Sequence, residues 1–471
     1  MKSWFNKNYS TTIIVARIVA DFLTIDLSIF CGFFLYHLIG WGVGDVRISL
    51  YVKLSLVAGL GFTVLFWVAG LYGARRKNSL HVEEIAEVYK AIVLGALFLF
   101  ALSFFLPREY LYSRLVGAYS VIFILVFVPL EKMVFRELIG HFRKRGFGRE
   151  EVLIYGAGDT GRQMAKRIIQ RPQLGYWPVG FIDDHEGEIN IEILKNPQVF
   201  TLPILGTLNN LGEVIRNNNV KKLLIAVPED PPEKKRMIVE KCRDLGVDFG
   251  FVPHLLEIMP HQLCIEDIGG IPIIVSDKKK KRLWYQVAKR GFDIIFSLVA
   301  LILLSPLFFI ISRLIKLDSK GPAIFSHMRV GKDGKEFTMY KFRTMYIDAN
   351  PNDYCPKESE DPRVTKFGRW LRRTSLDEVP QFINVLKGEM SIVGPRPEMP
   401  FIVKGYNELQ KERVKVKPGI TGLWQISGDR ASEIHDNIEY DLYYIQNQSF
   451  SLDMAITFST IIFAVRGIGA F

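Results

Sequence analysis

Apolar residues cluster at the start of this chain. Four runs, at residues 12–38, 52–73, 91–107 and 114–131, fill its first third. The second is uncharged from Leu54 to Ala74, long enough as a helix to cross a hydrocarbon core of about 30 Å. The third and fourth have uncharged cores of about 16 residues, so Arg108, Arg114 and Lys132 are expected to snorkel at their ends. Arg17 and Asp21 stand i, i+4 on the first helix, placed to neutralise one another. The pattern predicts four spanning helices over 1–140, against the alternative of four short buried helices in a soluble domain. Lys2 and Lys7 precede the first helix, Arg75, Arg76 and Lys77 separate the second from the third, and Arg143, Lys144 and Arg145 follow the fourth. Cations favour the cytoplasmic side, so both ends of the bundle are expected there.

From Glu151 the pattern changes. "EVLIYGAGDTGRQMAKRII" is an apolar strand, a glycine turn and an amphipathic helix, and "PVGFIDD", "KKLLIAVPE" and "DFGFV" supply further strands with helical stretches between them. Strands alternating with helices predict a doubly wound, Rossmann-like α/β module over 150–276.

A fifth apolar segment runs uncharged from Ile294 to Ser312. Ser305-Pro306 lies in its middle, where proline removes a helix hydrogen bond and crowds the preceding turn. A straight span would put everything after it outside the cell. Yet the basic run Lys278–Arg282 flanks the near end, and Arg313, Lys316 and Lys320 the far end. Cations on both flanks predict a re-entrant hairpin over about 291–316, opening a compact α+β domain over 283–471. Within that domain "AIFSHMRVGKDGKEFTMYKFRTM" reads as two strands around an Asp333-Gly334 turn. The last apolar helix is too short to span and is expected to pack or lie at the interface.

Composition sharpens this picture. The chain is 49% hydrophobic and 13% aromatic, yet carries 60 Lys and Arg against 49 Asp and Glu, a net charge of +11. Oily segments with excess cations point to an anionic membrane surface or to phosphates, and no nucleic-acid partner is expected. Cys31, Cys242, Cys264 and Cys355 lack zinc or redox spacing and read as plain thiols in a reducing compartment. The first apolar segment contains Arg17, Asp21 and Asp26 and does not read as a cleavable signal.

Two motifs carry candidate chemistry. Gly156, Gly158 and Gly161 follow a strand and open a helix, a spacing that lets backbone amides approach a diphosphate. Asp183 ends the next strand, where a ribose hydroxyl is often held. The same glycines could simply make a tight turn. Tyr285 and Lys289 have the Tyr-x-x-x-Lys spacing of a reductase pair but lie against the membrane segment, beyond the module, and read as coincidence.

The second motif is "LRRTSLDEVPQFINVLKGEMSIVGPRP", from Leu371 to Pro397. Ser375 and Glu378 have capping-box spacing, but a cap at Ser375 would put Pro380 at a helical position that needs its amide donor. A helix starting at Asp377 places Pro380 in the first turn, with Val379, Phe382, Ile383 and Leu386 as its apolar stripe and Gly388 as its stop. Asp377 and Glu378 then stand at a helix N-terminus flanked by Arg372, Arg373 and Arg396, a setting for phosphate. Carboxylates there have two uses, as nucleophile toward phosphorus or as Mg²⁺ ligand. Capping explains one acid but not the arginines. Lys341 and Arg343 alternate along "FTMYKFRTM" and are expected on one face with Met339 and Met345, lining a polar cleft.

These stretches together resemble the large monotopic phosphoglycosyl transferases, bacterial polyprenyl-phosphate sugar-phosphate transferases that begin capsule, exopolysaccharide or O-antigen assembly. "KRGFD" from Lys289 to Asp293, the Ser-Pro break, "GPAIFSHMRVGKDGKEFTMYKFRTM", "TKFGRWLRRTSLDEVPQFINVLKGEMSIVGPRP" and "KPGITGLWQISG" carry the likeness. The bundle with "YGAGDTG" and "GYWPVGFIDD" looks like the N-terminal extension of the large members. His327 departs from the pattern, standing where the family often has Gln or Lys. The resemblance implies transfer of sugar 1-phosphate from a UDP-sugar to polyprenyl (undecaprenyl) phosphate, releasing UMP, at the cytoplasmic face of the bacterial inner membrane. It implies that Asp377 is the nucleophile, forming a phosphosugar-aspartyl intermediate in a ping-pong scheme. Glu378 would hold Mg²⁺ and help activate the lipid phosphate, and Arg372 and Arg396, with Lys341 and Arg343, would grip phosphate. Two other readings remain, a membrane-tethered NAD-dependent sugar-nucleotide dehydratase and a non-enzymatic scaffold of an export complex. The oligomeric state is left open, a homodimer among the options.

Overall fold

The computed structural model describes residues 2–39, 48–72, 81–102, 114–184, 188–192, 199–252, 262–268, 271–277, 283–349, 361–427 and 438–466. The chain forms two compact units, divided between Glu257 and Ile258.

The first unit opens with helices α1 (Lys2–Leu38), α2 (Ile48–Val68), α3 (His81–Leu102) and α4 (Arg114–Lys144). Ile25, Phe62, Phe66, Val88, Ile92, Ile124 and Val128 form their core, while Phe34, Trp67, Leu94 and Phe98 are exposed. Apolar side chains on the outside of a bundle are what lipid requires. A Cβ on Gly32 would fall within 2.6 Å of the Ser120 backbone nitrogen, so only glycine lets α1 and α4 pack this closely. Among the described residues, four helices of the chain are long and apolar enough to cross a membrane: Thr11–Leu38, Tyr51–Val68, Leu115–Lys144 and Leu283–Asp318. The third expected span is not among them. Its helix starts at His81, ten residues before the apolar run, and carries Glu83, Glu84, Glu87 and Lys90 in its first turns. Residues 103–113, with Arg108, and the cations at 75–77 and 278–282 lie outside the described residues, as does the side chain of Arg114.

The charges of Arg17 and Asp21 pair between helices rather than along α1. Asp21, fully buried, accepts from Tyr72 Oη at 2.6 Å and pairs with Lys132 of α4. Arg17 reaches Glu84 of α3 at 3.5 Å, and Arg136 reaches the same carboxylate at 3.6 Å. The expected Arg17–Asp21 pair is therefore replaced, because the shared face of α1 meets opposite charges on α3 and α4. Lys132 does not snorkel; it is 4% exposed.

The α/β module follows: β1 (Glu150–Tyr155), α5 (Asp159–Gln170), β2 (Tyr176–Ile182), β3 (Glu188–Glu192), β4 (Val199–Gly206), α6 (Leu211–Asn217), β5 (Lys222–Ile225), α7 (Pro232–Asp244) and β6 (Asp248–Phe251). The sheet order is β3-β4-β2-β1-β5-β6, parallel except where β3 runs against β4. Along β1, Val152 and Ile154 join one core with Ala165 and Phe181, whereas Leu153 and Tyr155 join another with Leu211 and Ile238. Period-two alternation between two buried faces is why such strands read as unbroken apolar runs.

The expected module is shortened at its C-terminal end. β7 (Gln262–Ile268) and β8 (Ile271–Asp277) pair only with each other, antiparallel, and belong to the second unit.

The rest of the second unit comprises α8 (Leu283–Asp318), β9 (Ile324–Val330), β10 (Glu336–Phe342), α9 (Lys366–Thr374), α10 (Gln381–Lys387), β11 (Ser391–Val393), α11 (Pro400–Lys404), α12 (Glu408–Lys411), β12 (Gly419–Thr421), α13 (Ile438–Gln446) and α14 (Phe450–Val465). β9 and β10 form the expected hairpin, turning through left-handed Asp333 (φ 57°) and Gly334 (φ 75°). α14 packs through Leu452, Ala455 and Ile456.

α8 stays helical through Ser305-Pro306, so the pair does not end the helix. Pro306 has no amide proton for the carbonyl of Ile302. The Ser305 hydroxyl donates to that carbonyl instead, at 2.8 Å, which satisfies the acceptor that proline orphans. Both ends of α8 dock on the same unit. At the start, Lys289 donates to Asp453 Oδ2 and Val393 O, both at 3.0 Å, Arg290 donates to the Val385 and Leu386 carbonyls, and Asp293 accepts from Ser391 Oγ and Ile392 N. Toward the end, Ile311 and Ile315 bury against Phe342, Leu371 and Val379.

Candidate active site

Beside α8, β10 delivers Lys341, α9 delivers Arg372, the turn before α10 delivers Asp377 and Glu378, and the loop after β11 delivers Arg396. α9 is capped by Thr365, whose Oγ1 accepts from Gly368 N at 2.9 Å. It carries Arg372 inward and leaves Arg373 exposed. Ser375 then takes a left-handed conformation (φ 56°), and a 3₁₀ turn over Leu376–Glu378 leads into α10, which Gly388 ends at φ 86°. The α-helix thus begins at Gln381 rather than at Asp377, with Pro380 at its cap. Ser375 makes no side-chain cap bond, and Glu378 instead faces Lys341 and Arg396. The capping-box alternative is thereby displaced by an ion cluster.

Lys341 Nζ lies 2.8 Å from Glu378 Oε1 and 3.9 Å from Asp377 Oδ2. β10 presents it, and the free edge of β10 is fixed by Asn384 of α10. The Asn384 amide accepts from Tyr340 N at 3.1 Å and donates to Thr338 O at 2.7 Å. Arg396, between Pro395 and Pro397, brings Nη1 to 3.3 Å from Glu378 Oε1. Arg372 donates from Nε to Thr344 Oγ1 at 2.9 Å. Asp377 is buried, and burial pushes its carboxyl up to about 6; adjacent Glu378 adds to the rise, while Lys341, Arg372 and Arg396 oppose it. A buried carboxylate that is ionised at neutral pH yet more basic than usual is suited to attack an electrophile.

Arg343 stands apart from this group. β10 ends at Phe342, so alternation no longer sets its direction. Its guanidinium donates to Lys320 O at 2.6 Å and Ser319 O at 2.8 Å, closing the C-terminal end of α8. Gly321 (φ 120°) makes room for it, since a Cβ there would lie 2.1 Å from Nη1.

The glycine turn of the α/β module is internally bonded. Asp183 Oδ2 accepts from Ala157 N at 2.7 Å, and Arg162 Nε donates to Ala157 O at 2.9 Å. The acid expected at a ribose therefore occupies an amide that a diphosphate would use. Gly156 has φ 100°, Gly161 packs on the Gly156 carbonyl, and Gly158 precedes α5. Tyr285 and Lys289 both bond to Asp453, beside Tyr444. Their role is to dock α8 on α14. Sequence reasoning did not single out Asn384, Arg413 or Asp441; their polar atoms are buried, and only the packing reveals their partners.

An acid pair under a ring of cations, beside an apolar helix able to enter a membrane, defines a membrane-associated enzyme acting on phosphate esters. The comparisons with known proteins narrow the class. A family model described as "Bacterial sugar transferase" matches residues 284–467, and one described as "CoA-binding domain" matches 68–253. Over 468 residues the chain is 31% identical to the UDP-glucose:undecaprenyl-phosphate glucose-1-phosphate transferase of Klebsiella pneumoniae, covering 97% of this chain and 96% of that one. It is 30% identical to the undecaprenyl-phosphate galactose phosphotransferase of Salmonella typhimurium, covering 91% and 89%. The exopolysaccharide production protein ExoY of Sinorhizobium fredii is 40% identical over 190 residues, 37% of this chain and 84% of that one. The chain belongs to the polyprenyl-phosphate sugar-1-phosphate transferases, and it is a membrane protein.

Proposed function

We propose that this protein transfers sugar 1-phosphate from a UDP-sugar to undecaprenyl phosphate, releasing UMP, as the first membrane step in making an extracellular polysaccharide. The observation that carries this reading is the buried Asp377 beside Glu378 under Lys341, Arg372 and Arg396.

An Asp377 oxygen attacks the phosphorus that bears the sugar, the bond from that phosphorus to the UMP oxygen breaks, and UMP leaves. A phosphate oxygen of the lipid then attacks the same phosphorus and frees Asp377, leaving a diphosphate-linked sugar on the lipid. Lys341, Arg372 and Arg396 offset the negative charge of the diphosphate in both steps. A carboxylate with substrate oxygens suits Mg²⁺, which commonly takes one or two acids plus phosphate, so Glu378 would hold it. When bound, Mg²⁺ supplies positive charge to phosphate oxygens.

α8 is read as re-entrant, with the soluble parts on the cytoplasmic face of the inner membrane. A straight helix of 36 residues is about 54 Å long, and a single span would separate its ends by the bilayer. Contacts of both ends with one domain support the hairpin instead. The α/β module is read as accessory, consistent with Asp183 on its own loop amide. The test is UMP release from a panel of UDP-sugars with and without undecaprenyl phosphate; no release with any of them would refute the proposal.

A further inference from the structure

The carbonyl of Arg396 accepts a hydrogen bond from a buried polar assembly that the proposed chemistry does not touch. Arg413 is 4% exposed and Asp441 2%. Arg413 Nε donates to Asp441 Oδ2 at 2.7 Å, Nη1 donates to the Tyr406 hydroxyl, and Nη2 donates to the carbonyl of Arg396 at 3.0 Å. One planar guanidinium thereby ties α13, the segment after α11, and the backbone of a residue that faces the acid pair. The residues around Arg396 are held by main chain: Gly394 N donates to Thr421 O, Gly419 N to Pro395 O and Val330 N to Glu398 O. The Arg396 carbonyl is held by a side chain, between two prolines whose fixed φ leaves the strand little freedom.

A buried ion pair is a poor device for stability, because desolvation offsets most of its attraction. Its geometry, by contrast, is specific: a guanidinium forks to three acceptors, where an ammonium is a point charge. We infer that Arg413, oriented by Asp441 and Tyr406, is a positioning residue that sets the backbone of Arg396 so that its guanidinium meets the substrate phosphates. The inference rests on the transferase reading. Misplacement of a phosphate grip by about 1 Å can cost about a hundredfold in rate.

The test uses the full-length protein in nanodiscs, with a UDP-sugar that the wild type turns over. Arg413→Lys should lower kcat/KM about tenfold or more, with a raised KM for the UDP-sugar, while the melting transition stays cooperative. Combining it with Arg396→Ala should add little to the loss from Arg396→Ala alone, because the two act through one contact. Losses that multiply in the double variant, or unchanged kinetics in Arg413→Lys, would overturn the inference. Should Arg413→Lys fail to fold, Tyr406→Phe removes one hydroxyl from the assembly and is read in the same cycle with the same two outcomes. A wild type that releases no UMP from any UDP-sugar would sink the transferase reading and this inference with it. An active wild type with an additive pair sinks this inference alone.

Discussion

Lys341 stands closer to Glu378 than to Asp377, at 2.8 Å against 3.9 Å. The cation thus bonds one acid directly and acts on the other through space. This asymmetry distinguishes the two neighbouring carboxylates and underlies the predictions made for each.

Asp377→Asn keeps size and loses the anionic carboxylate that the proposal assigns as nucleophile. Enzyme with UDP-sugar and Mg²⁺ but no lipid should release UMP in a single burst from the wild type and none from the variant. The wild type should also carry labelled sugar phosphate on Asp377. The same substitution should raise stability at neutral pH. Asp377 is held up from 3.8 to about 6 in the folded protein, so folding favours its protonated form. The cost of ionising it appears as pH rises through that window and is complete above it. Melting temperatures at pH 7.5 and pH 4 should therefore differ from wild type at the first and converge at the second.

Lys341→Met removes a cation that lowers the Asp377 pKa. The acid limb of kcat/KM for UMP release, expected near pH 6 in the wild type, should move to higher pH. An unmoved limb would mean that another group controls it.

Glu378→Gln should reduce turnover severely while leaving a folded protein. If its part is to hold Mg²⁺, raising the metal concentration should recover a fraction of the rate. Asp377→Asn should gain nothing from the same treatment.

In the bundle, Asp21→Asn or Lys132→Met alone breaks the closest buried ion pair, leaving Lys132 with Glu131 at 3.4 Å or Asp21 with the Tyr72 hydroxyl, which should cost up to about 3–5 kcal/mol. The double variant should be less destabilised than either single one, read as detergent melting temperatures.

Topology has a direct test. A cysteine placed after Lys320 should react with a membrane-impermeant thiol reagent only when the cytoplasmic face is exposed. Labelling from the periplasmic side would replace the re-entrant reading with a straight span.

Much of this was legible in the chain. Apolar runs located α1, α2, α4 and α8, the strand–glycine–helix pattern located the α/β module, and Pro380 argued against a cap at Ser375. What escaped depended on partners distant in sequence. Arg343 follows Lys341 at strand spacing, but β10 ends between them, and carbonyls at the end of α8 capture it. Arg17 and Asp21 satisfy an i, i+4 rule that holds for isolated helices and yields to nearer charges once helices pack. Arg413 and Asp441 are 28 residues apart, and no local spacing connects them.

The Ser305 hydroxyl on the Ile302 carbonyl has a consequence for bending. Hydrocarbon offers no donor to an orphaned carbonyl, so a proline bend normally pulls water or another helix toward itself. Here the chain carries its own donor, one residue before the proline. Satisfaction of this carbonyl is therefore a local property of two adjacent residues, and α8 needs neither water nor a neighbouring helix at its proline.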